Sequence, residues 1–240
     1  MPASSAPGAD RRAPVVLAFD TAASACSVAV GRGATVIARE RREMRHGHGE
    51  ALFPMIERTM ATAEFVPADI DIVAVSVGPG GFTGIRAGLA AARGLALAAD
   101  ARLVGVTSFA AVAALMPKRA TALLVALDSR REDFYVQIFD AEGHPCGEPA
   151  TILPDDLGRF VNSAIRDMPL CIAGDAAEGA ANALGARDGI TTAANSAPDA
   201  AGVLTATMVG GKTPDARTRP LYLRPADVSF PKGRRGIIAP

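Results

Sequence analysis

The segment 76–86 is the part of the sequence whose residue types come closest to a ligand-binding pattern. It joins an apolar run to a helical pattern through four glycines. At such a junction the backbone N–H groups and the helix dipole attract anions. The spacing is neither the dinucleotide-binding fingerprint nor the P-loop, and the three lysines lie far from it in the sequence. A rigid turn without a ligand therefore competes with an anion or nucleotide loop, whose candidate residues are Gly78, Gly80, Gly81 and Thr83.

Two aspartates, Asp20 and Asp128, each follow an apolar run. A carboxylate at the end of a strand can serve phosphate or metal chemistry, or it can hydrogen-bond the turn that follows. The stretch after Asp20 contains no glycine, which a phosphate turn needs, so the turn interpretation is favoured there. The same two interpretations apply to Asp128, where the arginines Arg130 and Arg131 are most simply a solvated edge.

Histidines and nucleophiles give little sign of an active centre. His46 and His48 are two residues apart, which is poor spacing for a metal on a helix, and the third histidine, His144, is distant. Cys26 lies inside a strand-like run, and the Gly-x-Ser-x-Gly pattern of a nucleophile elbow is absent. We expect neither a metal site nor a catalytic residue, and we expect His48 to be a contact residue at the start of a helix.

The hydrophobic pattern describes two similar halves. Strands are predicted at 15–19, 26–30, 35–38 and 70–77, with helices from Glu50 and up to Ala99. A related order follows, with strands at 123–127, 134–139, 149–153 and 170–173 and helices at 155–164 and up to Leu184. This repetition predicts duplicated α/β lobes. We expect a disordered tail at 1–12, lobes at 13–100 and 101–224, and a basic proline-containing tail at 225–240.

Composition limits the function classes. Lys plus Arg and Asp plus Glu both total 25, so there is no surplus of positive charge for tight binding to nucleic acid. The number of cysteines is odd, and two of them lie in apolar runs, which favours reduced thiols and a cytoplasmic location. No apolar run has the length of a signal peptide core at the start or of a membrane span later, so we expect no membrane association.

The helix after the glycine loop has small residues spaced by four, at Gly84, Gly88, Ala92 and Ala96. Such a strip lets another backbone approach closely. The strip can pack on the protein's own sheet, or it can form part of a partner interface. Both interpretations remain open, because one face of a helix can pack on the sheet while another face contacts a partner.

Several segments together resemble the TsaB (YeaZ) family. They are Leu17-Ala-Phe-Asp-Thr-Ala, Cys26-Ser-Val-Ala, His48-Gly-Glu-Ala-Leu-Phe-Pro54, Gly78-Pro-Gly-Gly-Phe-Thr-Gly-Ile-Arg86, Gly105-Val-Thr-Ser-Phe109, Asp128-Ser-Arg-Arg and Pro220-Leu-Tyr-Leu-Arg224. Their order and spacing also match, with small departures at Gly49 and Gly81, where the family more often has serine. The resemblance implies duplicated actin-like lobes of the sugar kinase and Hsp70 superfamily, with mixed central sheets flanked by helices.

The resemblance also implies a function. Members of the family are non-catalytic subunits required for threonylcarbamoyl (t6A) modification of adenosine in tRNA, and they pair with a larger catalytic paralogue, TsaD. That paralogue binds metal through two histidines, and Ser108 and Val112 stand at the corresponding positions here. We therefore expect no cofactor on this chain alone, with ATP and metal on partner subunits. The expected partners are TsaD, the small ATPase TsaE, tRNA within the complex only, and a second copy when TsaD is absent.

Family members pair through the first two helices of the first lobe. The resemblance thus implies a partner interface that here comprises His48, Leu52, Met55, Ile56, Thr59, Gly84, Arg86, Gly88, Ala92 and Leu95. The alternative functions are a small ATPase or kinase of actin-like fold and a glycoprotease-type peptidase. Each would need a glycine-bearing phosphate turn, a metal-binding pair or a nucleophile with its base, and the sequence shows none of these.

Overall fold

A computed structural model describes residues 13–44, 46–117, 120–165, 168–185, 188–193, 196–209 and 218–224. The predicted tails at 1–12 and 225–240 lie outside the described residues.

The first lobe is built on a mixed five-stranded sheet. Its strands are β1 (Val15–Asp20), β2 (Ala25–Arg32), β3 (Thr35–Glu43), β4 (Ile72–Ser76) and β5 (Arg102–Val106), in the order β3-β2-β1-β4-β5. β1 and β4 are short apolar runs, and their parallel pairing buries them on both faces at the centre of the sheet. β3 forms an edge, where its charged side chains remain in water.

The second lobe repeats this sheet. Its strands are β6 (Ala122–Asp128), β7 (Phe134–Phe139), β8 (Ala150–Ile152), β9 (Leu170–Ala173) and β10 (Ile190–Thr192), in the order β8-β7-β6-β9-β10. Position by position this is the order of the first sheet, with β6 in the place of β1. The prediction of two duplicated lobes with mixed sheets is confirmed.

Among the residues that the structure describes, six α-helices cover the sheets. They are α1 (His48–Thr62), α2 (Phe82–Ala98), α3 (Ser108–Leu115), α4 (Pro154–Ile165), α5 (Ala177–Leu184) and α6 (Ala200–Val209). α1 and α2 pack on one face of the first sheet and α3 and α6 on the other, whereas α4 and α5 cover the second sheet. α3 lies between the lobes, because Ala111 packs towards the first sheet and Phe109 and Val112 pack towards the second.

The predicted boundary near Ala101 differs from the observed arrangement. β5 begins at Arg102 and pairs with β4, so the first sheet continues past that boundary. α6 also comes from the second half of the chain, yet Val203 and Leu204 pack on the first sheet beside Val16. Strand pairing and helix return are tertiary contacts, and a local sequence pattern does not encode them. Within the described part of the chain, no helix combines the length and apolarity needed to cross a bilayer.

Candidate functional site

The turn after β1 begins with a buried carboxylate. Oδ1 of Asp20 accepts hydrogen bonds from the backbone N of Ala22 and from Oγ of Ser76, both at 2.6 Å. This confirms that Asp20 bonds the turn that follows it. The second oxygen, Oδ2, is buried and has no hydrogen-bond partner in the structure. Burial raises the pKa of Asp20, and the hydrogen bond from Ser76 opposes that rise only in part.

The glycine loop between β4 and α2 is packed against this turn. Gly81 N donates to the carbonyl oxygen of Ala22 at 2.8 Å, and Oγ1 of Thr21 donates to the carbonyl oxygen of Gly84 at 2.8 Å. A Cβ on Gly84 would overlap the carbonyl oxygen of Thr21, and one on Gly80 would overlap that of Ala22. These two glycines therefore have a packing role, since only a residue without a side chain fits there.

The other members of the predicted anion loop occupy different surroundings. Gly78 is buried with a φ of 100°, and its carbonyl oxygen accepts from Ser108 N. Thr83 is exposed on the first turn of α2. The anion-loop interpretation stays a prediction, because the positive φ of Gly78 and the packing of Gly80 on Ala22 account for these two glycines without any ligand.

The second lobe presents a turn of the same kind towards the loop. Oδ1 of Asp128 accepts from the backbone N of Arg130 at 2.6 Å, as Asp20 does from Ala22. A Cβ on Gly81 would lie 3.8 Å from Nη2 of Arg130, so the guanidinium of the second lobe reaches the glycine loop of the first. The two equivalent turns thus face each other where the lobes meet.

His48 is the first residue of α1, and its ring is half-buried with Nε2 lacking a partner. Burial lowers the pKa of His48, which favours the neutral ring. Cys26 lies beside it, with Sγ 4.0 Å from the carbonyl oxygen of His48, and burial raises the pKa of this thiol to about 11. Across the described residues, no three His, Cys, Asp or Glu side chains gather as a metal site would require.

Ser108 and Val112 each have a structural role in α3. Oγ of Ser108 donates to the carbonyl oxygen of Pro79 at 2.9 Å and thereby fixes the glycine loop. Val112 is fully buried against Leu123 and Val125 of the second sheet. A hydroxyl that is already engaged and an aliphatic side chain cannot replace a pair of imidazole ligands.

The structure corrects the placement of most of the predicted interface residues. Leu52, Met55, Ile56, Thr59, Gly88 and Ala92 are buried inside the first lobe. Their helical spacing is that of the face of each helix that packs on the chain's own sheet. Gly84, Leu95 and His48 are half-buried, and Arg86 is exposed.

The strip of small residues on α2 likewise faces inwards. A Cβ on Gly88 would overlap Oγ1 of Thr21 and would lie 3.5 Å from Val75. Ala92 has no exposed surface. Of the two interpretations left open by the sequence, close packing on the protein's own sheet is the one observed for this strip.

The opposite side of the same two helices carries exposed apolar side chains. Leu97 on α2 is 85% exposed and Phe53 on α1 is 48% exposed. The helices are neighbours, since a Cβ on Gly49 would lie 3.8 Å from that of Ala87. We call this surface the outer face and define it by the exposed residues Phe53, Glu57, Arg86, Ala90, Gly94 and Leu97.

Phe53 and Leu97 were missed by the sequence analysis, although one signal could have found them. Both are large apolar residues that fall outside the helical stripe of their own helix, at positions where a surface helix normally carries polar residues. A single exposed leucine is common in soluble proteins. Two such residues on adjacent helices form a more specific signal.

Comparison with known proteins places the chain in a family. The family model described as TsaD, tRNA N6-adenosine threonylcarbamoyltransferase, matches residues 37–157, which is half of the 240 residues. The matched part includes α1, the glycine loop and α2.

Curated relatives named tRNA threonylcarbamoyladenosine biosynthesis protein TsaB match a similar length. The protein of Escherichia coli K12 is 38% identical over 122 residues, which is 50% of this chain and 52% of that protein. The Haemophilus influenzae protein is 33% identical over 123 residues, which is 50% of this chain and 51% of its own length. The matching segment thus spans about half the length of these curated relatives.

A solved structure agrees over a larger part of the chain. YeaZ from Pseudomonas aeruginosa superposes with a TM-score of 0.73 at 24% identity, covering 88% of this chain and 100% of that one. This likeness concerns the fold alone, two duplicated lobes that are each built on a mixed five-stranded sheet. From the match to the TsaD family model and the TsaB-named relatives it follows that the chain belongs to the TsaB (YeaZ) family.

Proposed function

We propose that this chain is a non-catalytic subunit required for threonylcarbamoyl modification of adenosine in tRNA, and that it docks the catalytic paralogue TsaD through its outer face. The relatives named for threonylcarbamoyladenosine biosynthesis support the pathway. The observation that carries the docking role is the exposure of Leu97, 85% in the isolated chain, on a helix whose other side is already packed.

The proposal of a non-catalytic role rests on the chemistry of the residues present. Ser108 donates its hydroxyl to the carbonyl oxygen of Pro79, and Val112 is buried in the core, so neither offers a metal ligand. Cys26 is buried with a raised pKa, which makes it a poor nucleophile at neutral pH. ATP and metal would accordingly be held by the partner subunits, and the composition favours tRNA contact only within the complex.

The physical basis of docking is burial of apolar surface on the outer face. Full burial of a leucine or phenylalanine side chain contributes about 1.5 to 3 kcal/mol. Covering Leu97 and Phe53 would therefore give a contact with an apolar centre and a rim that includes Glu57 and Arg86. TsaE would join through the complex of the two paralogues, and in the absence of TsaD a second copy would cover the same face.

The test is co-purification of TsaD from the same organism with the full-length tagged chain. Leu97→Glu and Phe53→Glu place a carboxylate where the partner would bury apolar surface. Because both positions are exposed in the isolated chain, the fold should remain intact. We expect each change to weaken binding by at least about tenfold, equivalent to about 1.4 kcal/mol.

Leu153→Glu is the matched control, since Leu153 is 51% exposed but lies in the second lobe. It should bind TsaD as the unsubstituted chain does. Retention of TsaD by both outer-face variants would refute docking through this face. The proposed function itself would be refuted if the unsubstituted chain did not bind TsaD. It would also be refuted if this chain did not restore threonylcarbamoyladenosine in the tRNA of cells that are depleted of their own TsaB-type protein.

A further inference from the structure

The segment 218–224, called the strap below, follows α6 and runs along the first lobe. Leu221 N donates to the carbonyl oxygen of Val77 at 2.8 Å, which joins the strap to the end of β4. Nη2 of Arg93 donates to the carbonyl oxygen of Thr218 at 3.0 Å, and Nε of Arg86 donates to the hydroxyl of Tyr222 at 3.1 Å. The strap is thus attached to the first lobe through its backbone and through α2.

The last two residues of the strap contact the second lobe instead. Leu223 packs against the apolar cluster that contains Phe109 and Leu127. Arg224 forms an ion pair with Asp133, and the two side chains are only 23% and 13% exposed. Because this pair is largely shielded from water, it is less screened than a surface pair.

Asp133 connects the strap to the turn that faces the glycine loop. Oγ of Ser129 donates to the backbone carbonyl oxygen of Asp133 at 2.6 Å, and Ser129 is the residue between Asp128 and Arg130. Arg130 in turn reaches the glycine loop of the first lobe near Gly81. A chain of contacts therefore runs from Arg224 to the place where the two lobes meet.

We propose that the strap fixes the angle between the two lobes, and that the Arg224–Asp133 ion pair attaches it to the second lobe. Apart from the strap, α3 packs on both lobes, and a packed helix permits hinge or shear motion. When the Arg224–Asp133 ion pair is broken, the second lobe can rotate relative to the first. Arg130 then moves away from Gly81 of the glycine loop.

The test measures the distance between the lobes in the full-length chain. Cys26→Ala and Cys171→Ala leave Cys146, which is exposed, as the native thiol of the second lobe. Ile37→Cys adds a thiol at a position that is 45% exposed on β3 of the first lobe. Spin labels at these two sites report a distance distribution by double electron–electron resonance.

We expect one narrow distribution for the labelled chain, and a broader one with a longer mean after Arg224→Ala. Asp133→Asn keeps the side-chain shape and should have the same effect, so it decides the question if the arginine variant does not fold. Arg159→Ala is the matched control, because Arg159 pairs with Asp156 inside α4 of one lobe, and it should leave the distribution unchanged. An unchanged distribution in folded Arg224→Ala and Asp133→Asn chains would overturn the proposal.

Discussion

At the scale of single residues, the two aspartates show how far local chemistry can be predicted. The turn interpretation is confirmed at both positions, because Asp20 and Asp128 each accept a hydrogen bond from the backbone N two residues later. A carboxylate followed by a short polar turn makes this contact within its own segment. The approach of Arg130 to Gly81 could not be predicted in the same way, since it joins residues of different lobes.

The burial of Asp20 leads to a prediction on stability. Its pKa is raised in the folded chain by burial, so folding favours the protonated carboxyl. As the pH rises through the ordinary pKa towards the raised one, the unfolded chain releases this proton first and the folded chain loses stability. The free energy of unfolding of Asp20→Asn, minus that of the unsubstituted chain, should therefore increase with pH over this window and then level off.

Urea unfolding curves at a series of pH values from mildly acidic to neutral measure this difference. Asp155→Asn, which removes an exposed carboxylate at the start of α4, controls for the change in net charge. A difference for Asp20→Asn that stays constant across the series would show that the buried carboxyl does not titrate as inferred.

At the scale of elements, helical periodicity located α1 and α2 correctly but did not show which face of each helix remains exposed for a partner. The buried positions Leu52, Met55 and Ile56 follow the apolar stripe, and that stripe packs on the first sheet. A partner interface on the other side needs only a few exposed apolar residues, such as Leu97, and these do not produce a periodic signal.

The glycines of α2 give a matched pair of predictions. A Cβ on Gly84 would overlap the backbone oxygen of Thr21, whereas one on Gly94 would meet no atom within 4 Å. Gly84→Ala should therefore lower the free energy of unfolding by about 3 kcal/mol, the upper part of the range for overpacking. Gly94→Ala should raise it by roughly 0.5 to 1 kcal/mol, because alanine loses less backbone entropy in a helix.

Chemical denaturation of the two variants measures both changes against the unsubstituted chain. If Gly84→Ala were as stable as Gly94→Ala, the close contact between α2 and the turn after β1 would not be the reason for the glycine.

At the scale of the whole molecule, the outer face predicts self-association when TsaD is absent. Two copies that cover Leu97 and Phe53 reciprocally would bury the exposed apolar surface of both chains. We expect the sedimentation coefficient of the unsubstituted chain to rise with protein concentration, and that of Leu97→Glu to stay at the monomer value. Leu153→Glu should behave like the unsubstituted chain. A monomer at all concentrations, or association that Leu97→Glu leaves unchanged, would contradict the prediction.

The sequence by itself determined most of the strands, most of the helices, the duplication of the two lobes and the turns at Asp20 and Asp128. These features depend on residues close to one another in the chain, where apolar periodicity and short-range hydrogen bonds act directly. The tertiary structure alone decided that β5 joins the first sheet, that α6 returns to it, that the strip of Gly88 and Ala92 faces inwards, and that Arg224 meets Asp133. Each of these depends on contacts between segments distant in sequence, and such contacts are selected by how whole elements pack together.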